Sequence, residues 1–448
     1  MSKHMFSDIR VPIDEDNPSI KRIEEKCIKC GICKGICKGS LSVYGYYNLE
    51  NTGNRAICIG CGQCSISCPT NAIVEQYDYL KVKEEIKKGK IVIFQVAPAV
   101  RVSIGEEFGM EPGSITIGKI VSALKKLGVK YVFDTTFGAD LTIMEESSEL
   151  IKRINDKDTL PMFTSCCPAW VKFVEIFYPE FLENLSTCKS PILMEGSTIK
   201  NYFAKLKNID RDDIISVALT PCTAKKYEIN REELKGDIDY VITTREFARY
   251  IKEENINFKD LDDSSFDNLM QEGSGGGTIF GTSGGVMESA CRYAYKILTG
   301  KDPSDNLLEF NDVRGLSNVK EAELIVNDIK LKLAVINGTG DARKILEKIK
   351  NKEVHYDFIE VMACEGGCIS GGGQPKVNMP ITPDIKNKRS SSLYEIDKNN
   401  KSRVCYQNMD IINIYNNFLD KPLSNIAHKY LHTTYIDRSN ELNKKEGI

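Results

Sequence analysis

The sequence predicts an α/β protein, mixed α+β overall, in which a small cysteine-rich unit leads into a larger body of alternating strands and helices. Three observations carry this. Eight of the sixteen cysteines fall between residues 27 and 68. From about residue 80 onward, β-branched runs alternate with stretches of helical periodicity. Three later cysteine groups each follow directly on a predicted strand.

The first unit is the most constrained. "CIKCGICKGIC" sets Cys27, Cys30, Cys33 and Cys37 in C-x2-C-x2-C-x3-C spacing, and "CIGCGQCSISCP" repeats it with Cys58, Cys61, Cys64 and Cys68 before Pro69. Two-residue gaps let three thiolates converge on one cubane, while the fourth cysteine of each run ligates the other cluster. One [4Fe–4S] cluster is therefore expected on Cys27, Cys30, Cys33 and Cys68, and a second on Cys58, Cys61, Cys64 and Cys37. Paired zinc knuckles are the competing reading, but zinc has no use for the duplicated x2-x2-x3 run. The run is similar to bacterial two-cluster ferredoxins, with Lys38 where proline is usual. Two adjacent clusters pass single electrons, so the unit reads as a wire.

Beyond it, residues 91–94 form a β-branched run ending near Pro98. Ile117, Ile120, Val121, Leu124 and Leu127 repeat at helical spacing, Gly128 ends that helix, and 129–133 reads as a strand. Further buried strands are expected at 214–219, 333–336 and 358–362, which makes a largely buried sheet pattern. "QEGSGGGTIFGTSGG" reads as a glycine-rich loop. "NGTGDARKIL" lacks the third glycine and acidic partner of a dinucleotide fingerprint and reads as a plain strand-to-helix turn. Beyond Pro375 the chain turns polar, with a late helix in "NMDIINIYNNFL", and reads as a C-terminal wrap.

Composition narrows the class. Sixty basic against 63 acidic residues leave no basic excess for nucleic acid. No apolar run approaches the roughly 20 residues that span a bilayer, and the first residues carry no apolar core of a secretory signal. A cytoplasmic protein without nucleic-acid or membrane partners is expected. Its thiols then stay reduced, which favours iron–sulfur ligation over disulfides. Cys188, Cys291 and Cys405 read as packed small hydrophobes.

The strand-end cysteines are Cys166 and Cys167 in "PMFTSCCPAW", Cys222 in "SVALTPCTAKKYE", and Cys364 and Cys368 in "FIEVMACEGGCISGGGQP". Ligands of α/β sheets bind at the carboxyl ends of strands, so these groups are expected to converge. Their count suggests one more cubane and one thiol left over. The three segments, in this order behind a two-cluster domain, resemble the signatures of the [FeFe] hydrogenases, and the resemblance extends to "IAHKYLH" near the C-terminus.

The resemblance implies a two-lobed α/β catalytic domain holding an H-cluster: a [4Fe–4S] cubane linked to a di-iron unit with CO, CN⁻ and azadithiolate. It implies a monomer that interconverts H2 with protons and electrons, an electron partner of ferredoxin or flavodoxin type, and dedicated maturases. The division is an extension over residues 1–22, a ferredoxin-like domain over 23–80, the catalytic domain over 81–375, and a small-subunit-like segment over 376–448. By the same resemblance, Cys167, Cys222, Cys364 and Cys368 are ligands, with Cys368 bridging to the di-iron unit. Lys225, Ala97 and Pro98 meet the cyanides, and Phe280 and Met362 pack over the di-iron unit. Soft thiolates suit iron, and a buried ammonium holds cyanide by a charge-assisted bond. Protons pass from Cys166 through Glu146, Ser186 and Glu149 to the surface. Arg153 lies one turn on from Glu149, and "MEESSEL" taken alone would read as a solvated acidic helix face.

Four positions depart from the pattern: Thr220 for methionine, Ala99 for serine, Ile192 for glutamine and Glu365 for proline. They are expected to shift the relative potentials of cubane and di-iron unit, and so to bias the enzyme toward H2 uptake. The alternatives are a hydrogenase-like iron–sulfur protein of cluster assembly and a sensor of H2, neither catalytic.

Overall fold

In the computed structural model, residues 9–270, 273–327, 329–376 and 381–443 are described. The first sheet is a two-stranded antiparallel pair, β1 (Ile20–Arg22) and β2 (Ile73–Glu75), which closes the cysteine-rich unit. Two larger sheets follow. One is parallel throughout in the order β4-β3-β6-β7, from β3 (Ile91–Val96), β4 (Tyr131–Asp134), β6 (Ile214–Thr220) and β7 (Tyr240–Thr243). The other has the order β5-β10-β9-β8, from β5 (Met162–Phe163), β8 (Val319–Val326), β9 (Ile329–Asn337) and β10 (Phe358–Met362).

The strands at β3, β6 and β10 match the expected runs to within two residues. The strand expected at 129–133 begins later, at Tyr131, because Gly128 takes a positive φ of 92° and the chain needs a further turn before pairing. The expectation of largely buried sheets holds for the first sheet and not for the edge of the second. There β8 pairs antiparallel with β9, and its residues alternate exposed and buried. "VKEAELIV" carries that period-2 pattern openly, an edge strand with one wet face.

Two glycine-rich stretches resolve differently from each other. The segment expected as a loop at 271–285 contains a short helix, Gly275–Ile279, and leads into another, Gly285–Thr299; Gln271 and Glu272 lie outside the described residues. Its glycines serve close packing: a Cβ on Gly284 would stand 1.9 Å from the Val313 carbonyl. The turn after β9 is the plain strand-to-helix turn expected, entering the helix Thr339–Lys350. It receives the cysteine-rich unit, Gly340 N–H donating to the Ser40 carbonyl at 2.9 Å. The late helix at 409–414 continues as a wider turn to Leu419 and packs in one apolar cluster with Phe133 and Leu141.

Buried ion pairs tie these parts together. Arg245 donates to Glu75 of β2, to Ser65 Oγ at 3.1 Å and to the Gln374 carbonyl at 2.7 Å, joining the cysteine-rich unit to the "GGGQP" segment. Arg389, on the C-terminal helix Pro383–Asn399, meets Glu106 at 2.6 and 2.7 Å and the Ile369 carbonyl at 2.7 Å. Both partners of this pair are almost fully buried. No helix among the described residues is long and apolar enough to cross a membrane.

Removing one partner of a buried pair leaves an uncompensated charge. Arg389→Met is therefore expected to lower stability by about 3–5 kcal/mol, with the Glu106→Gln/Arg389→Met double variant regaining part of it. Denaturant midpoints of the three proteins check this; a double variant no better than Arg389→Met would contradict it.

Candidate active site

Both larger sheets end at one crevice. β3 delivers Ala97 and Pro98, β4 delivers Thr135, and β6 ends at Thr220 and leads to Cys222. From the second sheet, β5 leads to Cys166 and Cys167, and β10 ends at Met362 before Cys364. These residues, with Lys225, Phe280 and Cys368, line one cavity enclosing about 760 Å³ of atom-free space. Its surface is almost wholly apolar. Ala99 and Ile192, two of the four departures, stand in the same wall, and Glu365 lies outside it, paired with Lys386 at 3.4 Å.

The thiols form one group. Burial and then the charges of Cys222, Cys167 and Cys368 push Cys364 well above its ordinary value. Burial and Cys167 raise Cys222 to about 11. Lys225 is a single cation against four soft donors crowded in a dry cavity, which is the setting an iron–sulfur cubane fits. A neutral donor also reaches them: Gln63 Nε2 to Cys364 Sγ at 3.1 Å. Gln63 sits between Cys61 and Cys64, so the cysteine-rich loop touches a thiol of the central group directly. Gly62 makes this approach possible, since a Cβ there would stand 2.3 Å from Thr223 Oγ1 and 3.0 Å from Gly372 Cα.

Cys166 and Cys167 are adjacent in sequence and opposed in surroundings. Cys167 precedes the helix Pro168–Phe177, and although burial raises it, N–H groups of Ala363, Trp170 and Ala169 favour its thiolate. Cys166 is raised well above its ordinary value, by burial first and then by the charge of Glu146. Lys225 Nζ donates to the Cys166 carbonyl at 3.0 Å and pairs with Glu228 at 2.9 Å. Burial alone would lower it, but Glu228 and the neighbouring thiols raise it.

Behind Cys166, the helix Thr136–Asp156 buries its acidic residues, so the solvated-face reading of "MEESSEL" fails. Glu146 is 1% exposed and neither oxygen has a hydrogen-bond partner by geometry, although Ser186 and the Ser165 N–H lie near enough to favour its anion. Burial, then the charge of Glu149, lifts it to about 8. Glu149 instead accepts Arg153 at 2.7 Å, Ser186 Oγ at 3.2 Å, Thr187 N–H at 3.0 Å and Thr187 Oγ1 at 3.1 Å.

In the N-terminal unit, Cys64 lies beside Cys58, Cys37 and Cys33, and burial with these charges raises it. Cys68 is held below its ordinary value: burial opposes this, but N–H groups of Ile73, Thr70 and Ala72 outweigh it. Cys27 is half-buried and Cys30 exposed. Among the three residual cysteines, Cys291 packs as a small hydrophobe; Cys405 stands in the cluster with Cys166 and Phe280. Cys188 is buried with its thiol 3.8 Å from Glu149.

Known proteins share this arrangement. The family model for the C-terminal domain of the iron-only hydrogenase large subunit matches residues 90–372. That for the iron hydrogenase small subunit matches 383–438, and that for the 4Fe-4S dicluster domain matches 17–73. The chain belongs to the iron-only hydrogenase family. It is 42% identical over 444 residues to the NADP-reducing hydrogenase subunit HndD of Solidesulfovibrio fructosivorans, covering 94% of this chain and 75% of that one. Iron hydrogenase 1 of Clostridium pasteurianum is also 42% identical, over 94% of this chain and 77% of its own. A solved structure of a variant of [FeFe]-hydrogenase HydA1 from Chlamydomonas reinhardtii gives a TM-score of 0.72 at 36% identity, covering 81% of this chain and 99% of that one. A cytosolic Fe-S cluster assembly factor, narfl of Xenopus tropicalis, is 30% identical over 84% of this chain and 82% of its own. The cofactors of this iron-only hydrogenase are two [4Fe–4S] clusters and an H-cluster, a third cubane joined to a di-iron unit.

Sequence reasoning missed Gln63, Thr187, Glu228 and His432. Gln63 is the one polar side chain within the second cysteine run's two-residue gaps, and His432 is one of only four histidines; both were visible signals. Thr187 and Glu228 carried none.

Glu146 yields a pH test. Its proton is held to about 8 in the folded state against an ordinary 4.5, so folding takes up a proton between those values. Stability contributed by this group is present at low pH and lost as pH rises across that window. Glu146→Gln is expected to gain on the wild type by up to about 1.4 kcal/mol per pH unit there, levelling above. Urea midpoints against pH measure it; parallel curves would refute it.

Proposed function

We propose that this chain is a catalytic [FeFe] hydrogenase, interconverting H2 with two protons and two electrons. The observation that carries the reading is the buried thiol and carboxyl line, Cys166, Glu146, Ser186 and Glu149, standing behind the cavity wall. A scaffold that only holds clusters has no use for it. The H-cluster supplies the redox chemistry that makes or splits H2.

Each residue then has a physical task. Cys167, Cys222, Cys364 and Cys368 hold the cubane, with Cys368 as the bridge to the di-iron unit. Lys225 presents an ammonium to a cyanide, and the backbone at Ala97 and Pro98 meets the other. Phe280 and Met362 keep the cavity dry, which strengthens every charge interaction inside it. Thr220 takes its place in the same wall, where it offers a hydroxyl in place of a longer apolar side chain. Cys166 takes or gives the proton at the cavity, and Glu146, Ser186 and Glu149 carry it outward. Arg153 positions Glu149.

Electrons pass through the N-terminal clusters, on Cys27, Cys30, Cys33 and Cys68 and on Cys58, Cys61, Cys64 and Cys37. The contact of Gln63 with Cys364 supports that route. Residues 23–80 act as the wire, 81–375 as the catalytic unit, and 376–448 as the wrap. A soluble carrier of ferredoxin or flavodoxin type docks at the wire, maturases install the di-iron unit, and the protein works as a monomer in the cytoplasm. The less polar contacts at Ala99, Ile192 and Thr220 lean it toward H2 uptake.

The similarity to assembly factors sets the competing reading, cubanes without catalysis. Matured protein is expected to show CO and CN⁻ infrared bands and H2-dependent dye reduction; full cubane occupancy with neither signal would leave the assembly reading standing. Cys167→Ala is expected to lose iron, whereas Cys166→Ala assembles normally and loses at least about 100-fold in turnover. Equal iron loss in both would show the roles misassigned. Thr220→Met, in protein-film voltammetry, should shift the ratio of oxidation to production current toward production; an unchanged ratio removes the bias argument.

A further inference from the structure

The inner proton line ends at Glu149, which is itself 7% exposed and capped by Arg153, with the Arg153 side chain 10% exposed. Some group must connect it to water. The hydrogen bonds continue in one direction. Thr187 Oγ1 donates to Glu149 Oε2 at 3.1 Å and stands 2.7 Å from His432 Nδ1. A hydroxyl has one proton. With that proton spent on Glu149, Thr187 must accept from His432, so Nδ1 carries a hydrogen. On the far side, His432 Nε2 is 3.0 Å from Glu145 Oε2, which also accepts the Leu423 N–H at 2.8 Å. Tyr415 holds the other oxygen of Glu145 at 2.6 Å.

His432 caps the helix Asn425–Leu431 and is fixed by backbone pairing with Cys188 and by the Thr433 N–H to the Thr187 carbonyl at 2.8 Å. His428, one turn earlier, is exposed, and its ring centroid is 4.2 Å from that of His432. Glu145, Glu149, Lys152 and Arg153 face the pair from the helix Thr136–Asp156, with Tyr415, Cys188 and Tyr435 from the other elements. Glu149, Cys188 and His432 also present ligand atoms within 4.8 Å of one another. Their lone pairs are already engaged, by Arg153, Ser186 and Thr187 on the carboxylate and by Thr187 and Glu145 on the ring. The cluster is built for hydrogen bonding and not for an ion.

We propose that Thr187, His432 and His428 form the outer half of the proton path, joining Glu149 to solvent. The inference rests on the hydrogenase reading above. Inward, the Nδ1 proton of His432 passes to Thr187 Oγ1 as the hydroxyl proton passes to Glu149 Oε2. One proton leaves the imidazole, one arrives at the carboxylate, and the hydroxyl is unchanged. His432 is left protonated on Nε2, and the ring turns to present its free nitrogen to the His428 side, where a solvent proton reloads it. H2 uptake runs the same steps in reverse.

The test uses the matured full chain with His432→Gln, which retains a side-chain amide donor for Thr187 and cannot titrate. Its iron content and CO and CN⁻ infrared bands are expected to match the wild type, while H2 turnover falls about tenfold or more and added imidazole restores it. As a readout independent of turnover, 15N-histidine NMR of the full chain follows the His432 Nδ1 resonance, which Thr187→Val should move by removing its acceptor. Thr187→Val also serves where His432→Gln loses iron, since it cuts the same path from the other end. Wild-type rates in both variants, or an unmoved Nδ1 resonance, overturn the path. So does a loss of rate in His432→Gln that imidazole leaves unrestored. A wild type with infrared bands and cubanes but no H2 turnover would instead bring down the hydrogenase reading, and this path with it; an active wild type with unaffected variants brings down the path alone.

Discussion

The structure depends on forcing four thiols, a lysine and a carboxylic acid into one dry crevice. Burying such groups is costly unless each finds a partner or a bound ion. The fold meets that cost by bringing the carboxyl ends of two sheets together, so that strands far apart in sequence deliver donors to one point. Glycines do the close work: a Cβ on Gly372 would stand 2.4 Å from the Cys61 carbonyl, and one on Gly371 2.4 Å from that of Pro221. The outer ion pairs, Arg245 with Glu75 and Arg389 with Glu106, hold the cysteine-rich unit and the C-terminal helix against this crevice.

Given that constraint, the two carriers of the reaction need separate exits. The electron side is made of thiols and close backbone, where Gln63 of the N-terminal loop reaches Cys364 at 3.1 Å. The proton side is made of carboxyls and hydroxyls on one buried helix face. The boundary between them falls within the peptide that joins Cys166 to Cys167. One thiol receives backbone N–H groups that favour its anion, and the other meets a carboxylate that disfavours it. Electrostatics, more than distance, makes neighbours in sequence into members of different chains.

How far the sequence could be read follows from the same physics. Ligand spacing is local and survives in the sequence, so the two cysteine runs and the strand-end cysteines were legible. Helix and strand periods located β3, β6 and β10 within two residues. What escaped was non-local. That Glu145, Glu146 and Glu149 all face inward depends on what packs over the helix Thr136–Asp156, and the C-terminal wrap supplies part of that cover through Tyr415 and His432. The glycine-rich segment looked like a loop because close packing and flexibility require the same residue. β8 escaped although its alternation was plain, because attention to continuous apolar runs passes over an edge strand.

The unequal treatment of two acids on one helix completes the argument. Glu149 gathers donors from Arg153, Ser186 and Thr187, all of which favour a carboxylate. Glu146, one turn nearer the cavity, has no geometric partner and is pushed up to about 8. Two like charges this near in a medium of low dielectric do not both ionise readily, so one mobile proton is shared along the line and rests on the cavity side. A structural acid would have been paired, as Glu106 and Glu75 are. An acid left unpaired in the interior, beside a partner that is generously bonded, is placed to receive a proton and to give it up.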